Sequence, residues 1–280
     1  MEAVAFGVQG VRLHGEHHAP EGPAKGAVVL VHGFNSNLEE FGPAPAALAK
    51  AGFHALAFDQ RGFGRSAGER GRTSKEMAVE DIAAATAWLR GMAGKAPLGI
   101  LGHSLGGAYA LAAAAELGLF RCAVVAHPVD TLFGELNALQ RAGYHFMGWL
   151  GERRVGQGRP AGHLPYKVHY SEIFVSHEAA QAAKRDDILL KHANLANYRD
   201  ALAVQGAVWA RGVTVPVLCI ASRHDRAVKP AHSRAVFDAI AGRKETFEHE
   251  GGHSCFRDLD GRRVIAAAVA WFGRELGGAK

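Results

Sequence analysis

The sequence has few cysteines and no long hydrophobic run. Only three cysteines occur among 280 residues, and Cys122 and Cys219 lie inside short apolar runs that are typical of buried strands. This usage excludes a disulfide-rich secreted domain and favours free thiols in a reducing compartment. No apolar run reaches the roughly 18 residues that a bilayer-spanning helix needs. We therefore expect no stable insertion into a membrane.

The chain also lacks blocks of like charge. Its formal net charge is +5, but the basic residues alternate with acids and no run of five or more like charges occurs. Such a distribution indicates a mildly basic solvated surface and gives no reason to expect nucleic-acid binding. The first residues lack the basic segment and apolar core of a signal peptide, so we expect a cytoplasmic protein. Nothing in the pattern indicates an oligomeric state.

Proline is scarce and glycine is abundant, with 10 and 35 residues respectively. Glycine at about one residue in eight exceeds the usual proportion of about 7%, which points to many tight turns rather than to a proline-rich linker. Apolar residues make up 48% of the chain. That proportion supports a folded domain with a substantial core and excludes a disordered chain.

Short β-branched runs alternate with longer helical patterns, which predicts an α/β fold with a mostly parallel sheet. We expect an antiparallel edge hairpin near residues 6–14, a buried strand at residues 27–31, and further strands at residues 55–58, 98–101, 123–126, 216–220 and about 245–248. Helices are expected at residues 39–51, 74–92, 104–117, 231–241 and 259–276. Thr73 and Glu76 have the spacing of a capping box at the start of the second helix.

The regular alternation stops between about Asp130 and Gly212, where helical segments rich in aromatic residues replace it. We interpret residues 131–211 as a mainly helical cap, and residues 1–130 and 212–280 as the core. Alternation within residues 166–175 predicts a short hairpin inside the cap. A cap of this kind would cover the ligand-binding edge of the sheet.

The strongest chemical signal is the run Gly102-His-Ser-Leu-Gly106-Gly107, which lies between a strand and a helix. This is G-x-S-x-G in the strand–turn–helix context that holds a nucleophilic serine above the edge of a sheet. Side chains at Gly102 and Gly106 would collide where strand and helix pack closely. Ser104 is therefore the candidate nucleophile.

A serine nucleophile needs a base and an orienting carboxylate, and both follow in chain order. Asp225 comes after the strand at residues 216–220, and His253 after the last predicted strand. Both positions are carboxyl ends of strands, the edge where open α/β sheets bind ligands. Asp130, after the strand at residues 123–126, is the alternative acid. His249 is expected to be a surface residue at a strand end.

Two backbone amides are needed to stabilise the oxyanion of an acyl-transfer intermediate. Leu105 supplies one amide because it follows the nucleophile. The loop after the first core strand supplies the other, and Phe34, which follows His32-Gly33, is the first choice, with Asn35 as the alternative. Ser104, Asp225, His253, Phe34 and Leu105 thus form one candidate catalytic set.

These motifs resemble the α/β-hydrolase superfamily, in particular its monoacylglycerol-lipase-like and serine-aminopeptidase-like branch. The matching residues are His32-Gly33-Phe34, Asp59-Gln-Arg-Gly62-Phe-Gly64-Arg-Ser66, Gly102-His-Ser104-Leu-Gly106-Gly107, Asp225 and Gly252-His253. The resemblance covers residues 25–130 and 212–275, and it departs at Gln60-Arg61, where many relatives have a His-x pair. It implies a mostly parallel eight-stranded sheet flanked by helices, with a cap inserted after strand 6.

The resemblance implies a serine hydrolase that cleaves a small acyl ester, such as a monoacylglycerol, through an acyl-enzyme and without a cofactor. C–C bond hydrolysis, amide or peptide hydrolysis and acyl transfer use the same triad and stay open, as does a non-catalytic ligand receptor. Several apolar cap residues are candidates for the acyl pocket, or for the packing of the cap itself: Phe133, Leu136, Leu139, Tyr144, Phe146, Met147, Trp149 and Leu150.

Two competing motifs are weaker. Gly62-x-Gly64 follows a strand, but the third glycine of a dinucleotide fingerprint is misplaced by one residue and no helix begins within it. His14, His17 and His18 are accompanied by no further metal-binding pattern, and a solvated hairpin explains them better. We therefore expect neither a dinucleotide nor a metal.

Overall fold

The computed structural model describes residues 1–132, 136–165, 167–185 and 189–278. Its strands are β1 (Glu2–Val8), β2 (Val11–His18), β3 (Gly26–Val31), β4 (Phe53–Phe58), β5 (Leu98–His103), β6 (Cys122–Ala126), β7 (His163–Pro165), β8 (His192–Asn194), β9 (Val217–Ser222) and β10 (Lys244–His249). Its α-helices are α1 (Ala44–Lys50), α2 (Lys75–Ala93), α3 (Leu105–Leu117), α4 (Ala138–Gly156), α5 (Tyr170–Ile173), α6 (His177–Arg185), α7 (Asn197–Leu202), α8 (Gly206–Ala210), α9 (Pro230–Ala239) and α10 (Gly261–Gly277).

Eight strands form one sheet in the order β1-β2-β4-β3-β5-β6-β9-β10. Strand β2 pairs antiparallel with β1 and β4, and all the other pairs are parallel. Strands β3, β5 and β6 are buried along their whole length, as expected of central strands covered on both faces. The predicted mostly parallel eight-stranded sheet is confirmed.

Helices cover both faces of the sheet, and each face has its own apolar cluster. Helices α2 and α3 supply much of one cluster, and α1 and α10 pack on the opposite face. Gly99 in β5 permits the closest approach on the α10 side, because a Cβ there would lie 2.6 Å from a ring carbon of Phe272. The core is therefore a three-layer sandwich whose central strands deliver the loops at its carboxyl edge.

Two local predictions need correction. The single helix expected at residues 39–51 is divided into a 3₁₀ turn, Leu38–Phe41, and α1, because Gly42 has a φ of 49° and Pro43 follows. Helix α2 is capped by Ser74, whose hydroxyl accepts the amide of Met77. The capping box expected from Thr73 is therefore absent. The hydroxyl of Thr73 instead donates to that of Tyr109.

The chain between β6 and β9 is mainly helical and contains α4 to α8 with the short antiparallel pair β7–β8. We call it the cap segment and use for it the proposed bounds 131–211. Strand β7 pairs with β8, and the described residues 167–175 contain α5 in place of the predicted hairpin. The amides of Gly206 and Ala207 bond to Asp130, so the segment leaves and re-enters the core at one place. No helix in the described part of the chain is long and apolar enough to cross a membrane.

Candidate active site

Ser104 lies in the tight turn between β5 and α3, with a left-handed φ of 55°. Such a backbone conformation is strained for a residue other than glycine and is characteristic of functional turns. Gly106 allows the turn to pack, because a Cβ there would lie 2.3 Å from the carbonyl oxygens of Val31 and His32. A Cβ at Gly102 would lie equally close to the carbonyl oxygen of Gly106. The two glycines are thus required sterically, as the sequence predicts.

The loops after β9 and β10 bring Asp225 and His253 to Ser104. Nε2 of His253 lies 2.9 Å from the Ser104 hydroxyl, and its Nδ1 lies 2.8 Å from Oδ2 of Asp225. The other carboxylate oxygen, Oδ1, accepts the backbone amides of Ala227 and Val228. All three side chains are buried. The sequence-predicted serine, base and acid therefore form one hydrogen-bonded chain.

Asp225 remains ionised in this setting. Burial opposes the charge, but the neighbouring imidazoles of His253 and His127 hold the pKa of Asp225 far below its usual range. The alternative acid, Asp130, accepts amides at the start of α8 instead. The geometry therefore assigns Asp225, and not Asp130, to His253.

The loop after β3 lies directly against the serine, since a Cβ at Gly33 would meet the Ser104 Cβ at 3.0 Å. Phe34 follows Gly33 and lines the same cavity as Ser104. Among the described residues, no protein acceptor takes the amide of Phe34 or of Leu105. Both amides, proposed from sequence as oxyanion donors, are therefore available to a ligand.

His32 and Gln60 hold this loop in place. The backbone amide of Gln60 donates to Nε2 of His32, which leaves Nδ1 as the protonated nitrogen that donates to the Gly33 carbonyl at 2.8 Å. The Gln60 side-chain amide also donates to the His32 carbonyl. The departure from the family pattern at Gln60 thus has a structural role, because Gln60 anchors the end of β3 from which this loop begins.

A buried pair, Glu40 and His103, ties three active-site loops together. The Glu40 carboxylate accepts the Gly33 amide at 2.7 Å and contacts Nδ1 of His103 at 3.2 Å, while Nε2 of His103 donates to the His253 carbonyl at 2.8 Å. Burial opposes both charges, but the mutual attraction prevails, so the pKa of Glu40 is lowered and the pKa of His103 is raised. The pair was not identified from sequence, because the two residues are 63 positions apart.

Two further histidines lie behind Asp225. His127, at the end of β6, contacts Oδ2 of Asp225 through Nδ1, and its Nε2 lies 2.8 Å from Nε2 of His249. The expectation that His249 is a surface residue is wrong, because β10 ends inside the site and leaves His249 2% exposed. His127 was missed, although its position at a strand end on the active edge was a usable signal.

Ligand-type atoms of His127, His249 and Cys255 lie within 4.8 Å of one another, and so do those of His127, Asp225 and His253. Two imidazole nitrogens bound to one zinc ion at about 2.0–2.1 Å would lie about 3.3 Å apart in tetrahedral geometry. The 2.8 Å separation of the two Nε2 atoms is that of a hydrogen bond. The residues as arranged suit a hydrogen-bond chain better than a metal centre.

A cavity of about 470 Å³ opens beside Ser104 and His253. The cap segment contributes Leu132, Ile173, Phe174 and Leu189 to its wall, together with the polar His169 and Glu172. The core contributes apolar Phe34, Val129 and Val228, and the charged Lys229. The cavity is thus mostly apolar with a few polar groups, as in sites for small organic ligands.

The apolar cap residues expected to line this cavity lie elsewhere. Tyr144 stacks on Tyr198. Phe146 stacks on Trp149, and these two side chains are 58% and 49% exposed, respectively. Neither these residues nor Leu136 are among the described residues around the cavity. Phe133 lies outside the described residues. The expectation is corrected because Phe146 and Trp149 face solvent and Tyr144 packs on α7, while the segments around α5 and Leu189 line the cavity beside the serine.

Comparison with known proteins agrees with this architecture. A family described as "Serine aminopeptidase, S33" matches residues 22–260. An "Uncharacterized 31.7 kDa protein in traX-finO intergenic region" of Escherichia coli is 30% identical over 274 residues, covering 92% of this chain and 94% of that one. A monoacylglycerol lipase of Mycolicibacterium smegmatis is 25% identical over 284 residues, with 96% of each chain covered.

The fold is also found among solved structures. The crystal structure of Paleococcus ferrophilus monoacylglycerol lipase superposes with a TM-score of 0.78 at 24% identity, covering 94% of this chain and 99% of that one. At this identity the likeness shows the fold alone. The family match over most of the chain shows that the chain belongs to the serine aminopeptidase S33 family, and its fold is that of the α/β-hydrolases.

Proposed function

We propose that the protein hydrolyses a carboxylic ester of a small acyl group through a covalent acyl-enzyme. The observation that carries the proposal is the unbroken hydrogen-bond chain from Ser104 through His253 to Asp225, which opens onto a mostly apolar cavity. Neutral hydroxyls are weak nucleophiles, and an adjacent oriented imidazole activates them. The family membership and the lipase relatives support ester hydrolysis.

In the first half-reaction, the Ser104 oxygen attacks the ester carbonyl carbon and its proton passes to Nε2 of His253. The ionised Asp225 holds Nδ1 of His253 and stabilises the imidazolium that forms. The amides of Phe34 and Leu105 stabilise the tetrahedral oxyanion. The C–O bond then breaks, and the leaving alcohol takes the proton from His253.

In the second half-reaction, water attacks the acyl-enzyme while His253 accepts one of its protons. Collapse of the new tetrahedral intermediate returns that proton to Ser104 and releases the acid. The apolar wall formed by Leu132, Ile173 and Phe174 suits the acyl chain. A monoacylglycerol or a similar small acyl ester therefore fits the site.

The test is a panel of p-nitrophenyl esters of increasing acyl length, combined with labelling by a fluorophosphonate probe. We expect wild-type turnover with an optimum at one chain length. Ser104→Ala should lower kcat by about four orders of magnitude or more and abolish labelling. Ser254→Ala, which alters another buried serine at the cavity, should keep the labelling. Wild-type protein that neither labels nor turns over any ester would refute the proposal.

Amide or peptide hydrolysis is the second candidate, because Glu172 brings a carboxylate to the cavity wall where it could pair with a free α-amine. Aminoacyl p-nitroanilides distinguish this activity from esterase activity. A ring-cleavage diketone tests C–C bond hydrolysis, and added alcohols test acyl transfer. Slow labelling without turnover of any of these substrates would indicate a ligand receptor.

A further inference from the structure

Two imidazoles contact Asp225, those of His253 and His127, and only His253 takes part in the proposed reaction. His253 approaches Oδ2 from the loop after β10, whereas His127 approaches the same oxygen from the end of β6. His127 in turn contacts His249. Both additional imidazoles are almost fully buried, at 1% and 2% exposed. Burial of two unused imidazoles is costly unless their hydrogen bonds are satisfied.

One backbone amide determines the protonation of this chain. The amide of Gly251 donates to Nδ1 of His249 at 3.1 Å, so Nδ1 carries no proton and Nε2 does. The Nε2 proton of His249 is donated to Nε2 of His127, which must therefore be an acceptor. His127 then carries its proton on Nδ1 and donates it to Oδ2 of Asp225. Burial agrees with two neutral rings, since it lowers the pKa of His249 and lowers the pKa of His127 to about 4.

We infer that His127, oriented by His249, is a positioning residue that donates a second imidazole hydrogen bond to Asp225 and thereby sets the basicity of the carboxylate for His253. The inference rests on the proposed function of Ser104. With this bond, Oδ2 of Asp225 accepts two imidazole donors and Oδ1 accepts two backbone amides. The carboxylate is thus fixed in orientation and its charge is shared among four donors.

The backbone at His127 supports a specific role. Its φ is 50°, in the left-handed region that non-glycine residues seldom adopt. The conformation is held by the His127 amide, which donates to the Ile220 carbonyl at 2.9 Å. Strain of this kind persists where the surrounding structure demands it. Here it directs the imidazole from the end of β6 back toward Asp225.

Other titratable groups lie near this chain of side chains, and a substitution at position 127 removes none of them. The Glu40–His103 pair lies on the Ser104 side, and the thiol of Cys255 is neutral because burial raises its pKa well above the usual value. Asp258 and Asp260 act on His249 through charge at longer range. Removal of the His127 side chain therefore breaks its hydrogen bonds to Asp225 and His249 without removing any of these charges.

Loss of the His127 donor makes the Asp225 carboxylate more basic toward His253. A more basic carboxylate favours the imidazolium form of His253, which is inactive as a base. The acid limb of the rate profile should then move to higher pH. The rate should fall as well, because the carboxylate loses a hydrogen bond that orients it toward His253, and a charge-assisted bond of this kind corresponds to about a tenfold to hundredfold change in rate.

The experiment compares His127→Gly with His127→Asn. Glycine accepts the positive φ and removes the donor, whereas asparagine tolerates the same φ and its side-chain amide can replace Nδ1–H as the donor. We expect His127→Gly to lower the rate of fluorophosphonate labelling by about tenfold to hundredfold and to shift its acid limb upward by about half a pH unit or more. His127→Asn should restore most of the labelling rate and return the acid limb close to its wild-type position.

A second pair of variants, His249→Leu and His249→Gln, tests the same hydrogen-bond chain if the variants at position 127 do not fold. Leucine removes the donor that orients His127 and should produce a shift in the same direction, while glutamine can replace the Nε2 donor. A purely structural role would lower Tm without moving the acid limb. An unmoved limb in both donor-deleted variants, or equal effects of glycine and asparagine at position 127, would overturn the inference.

Proton NMR keeps the result separate from the proposed activity. Wild-type protein should show two strongly downfield imidazole N–H signals for the two donors to Asp225, and His127→Gly should keep only the signal from His253. A single wild-type signal that survives in His127→Gly would contradict the bond, whether or not any ester is hydrolysed. Two signals in a protein that neither labels nor hydrolyses esters would refute the proposed function, and with it the positioning role of His127.

Discussion

At the scale of single residues, the active-site loops are held by a few buried polar side chains that reach backbone groups. Glu40 accepts the amide of Gly33, His32 donates to the carbonyl of the same residue, and His103 donates to the carbonyl of His253. The first two contacts hold the loop that follows β3, and the third joins positions 150 residues apart in sequence. Because the donors and acceptors are buried, removal of any one leaves an unsatisfied partner, which costs more than a surface bond contributes.

Glu40→Gln should show a pH-dependent loss of stability. The pKa of His103 is raised in the fold, so its contribution is present below about pH 6.5 and disappears as the pH rises through the raised value. The pKa of Glu40 is lowered, so its contribution is present above about pH 4.3 and disappears as the pH falls through the lowered value. We expect a loss of about 2–4 kcal/mol near pH 5.5 and a smaller loss at pH 8.5.

Urea denaturation at the two pH values measures this difference. Glu39→Gln is the matched control, since Glu39 is adjacent but pairs with Arg65 at the surface. Glu39→Gln should change the free energy of unfolding by no more than about 0.5 kcal/mol at both pH values. An equal loss for Glu40→Gln at pH 5.5 and 8.5 would contradict a charged pair with His103.

At the scale of elements, the turn between β5 and α3 leaves no space for larger side chains at its two glycines. The strand, the serine turn and the helix pack so closely that Gly102 and Gly106 have no space for a methyl group. The helix begins immediately after Ser104, so its N-terminal amides and dipole face the position where the oxyanion would develop. Steric fit and electrostatics thus depend on the same few residues.

Gly106→Ala tests the steric part. A Cβ would meet backbone oxygens at 2.3 Å, so β3 or α3 must shift, and we expect a loss of about 1–3 kcal/mol in unfolding free energy. Gly107→Ala is the control, because its Cβ would make contacts no closer than 3.4 Å, and helix propensity favours alanine by up to about 1 kcal/mol. Thermal denaturation should give a lower Tm for Gly106→Ala than for Gly107→Ala. Equal Tm values would contradict the close packing at Gly106.

At the scale of the whole molecule, the site forms where the carboxyl edge of the sheet meets the cap segment. The amides of Val175 and Ser176 bond to Asp258, and the Ser254 amide bonds to the Ile173 carbonyl, so the region around α5 is attached directly beside His253. The outward face of α4 takes no part in this contact. The cap residues that line the serine cavity therefore come from the start of the cap segment, from the region of α5 and from Leu189.

Leu132→Trp tests which part of the cap faces the substrate. The larger ring should occupy part of the 470 Å³ cavity and shift the preferred p-nitrophenyl ester to a shorter acyl chain. Leu139→Trp, at a position 83% exposed on α4, should leave the preference unchanged. Fluorophosphonate labelling of both variants verifies an intact serine. A shift with Leu139→Trp but not with Leu132→Trp would show that the outer face of α4 lines the substrate site.

Local patterns were sufficient for most of the fold and for the candidate nucleophile. The buried strands have continuous apolar runs. Gly102-x-Ser104-x-Gly106 requires a strand before it and a helix after it, and the hydrophobic pattern predicts the same two elements there. They were insufficient for α4, because the aromatic residues Phe146 and Trp149 suit a pocket wall as well as an exposed helix face. Hydrophobicity alone does not tell which way an inserted helix turns.

The sequence by itself determined the sheet, the serine turn and the order of serine, acid and base, because these depend on local periodicity and on steric demands within a few residues. Only the tertiary structure decided the buried polar partners: Glu40 with His103, Gln60 with His32, and His249 with His127. These pairs bring together side chains at the carboxyl edge of the sheet that are 28 to 122 residues apart along the chain. Their protonation depends on burial and on single backbone amides, which exist only in the folded molecule.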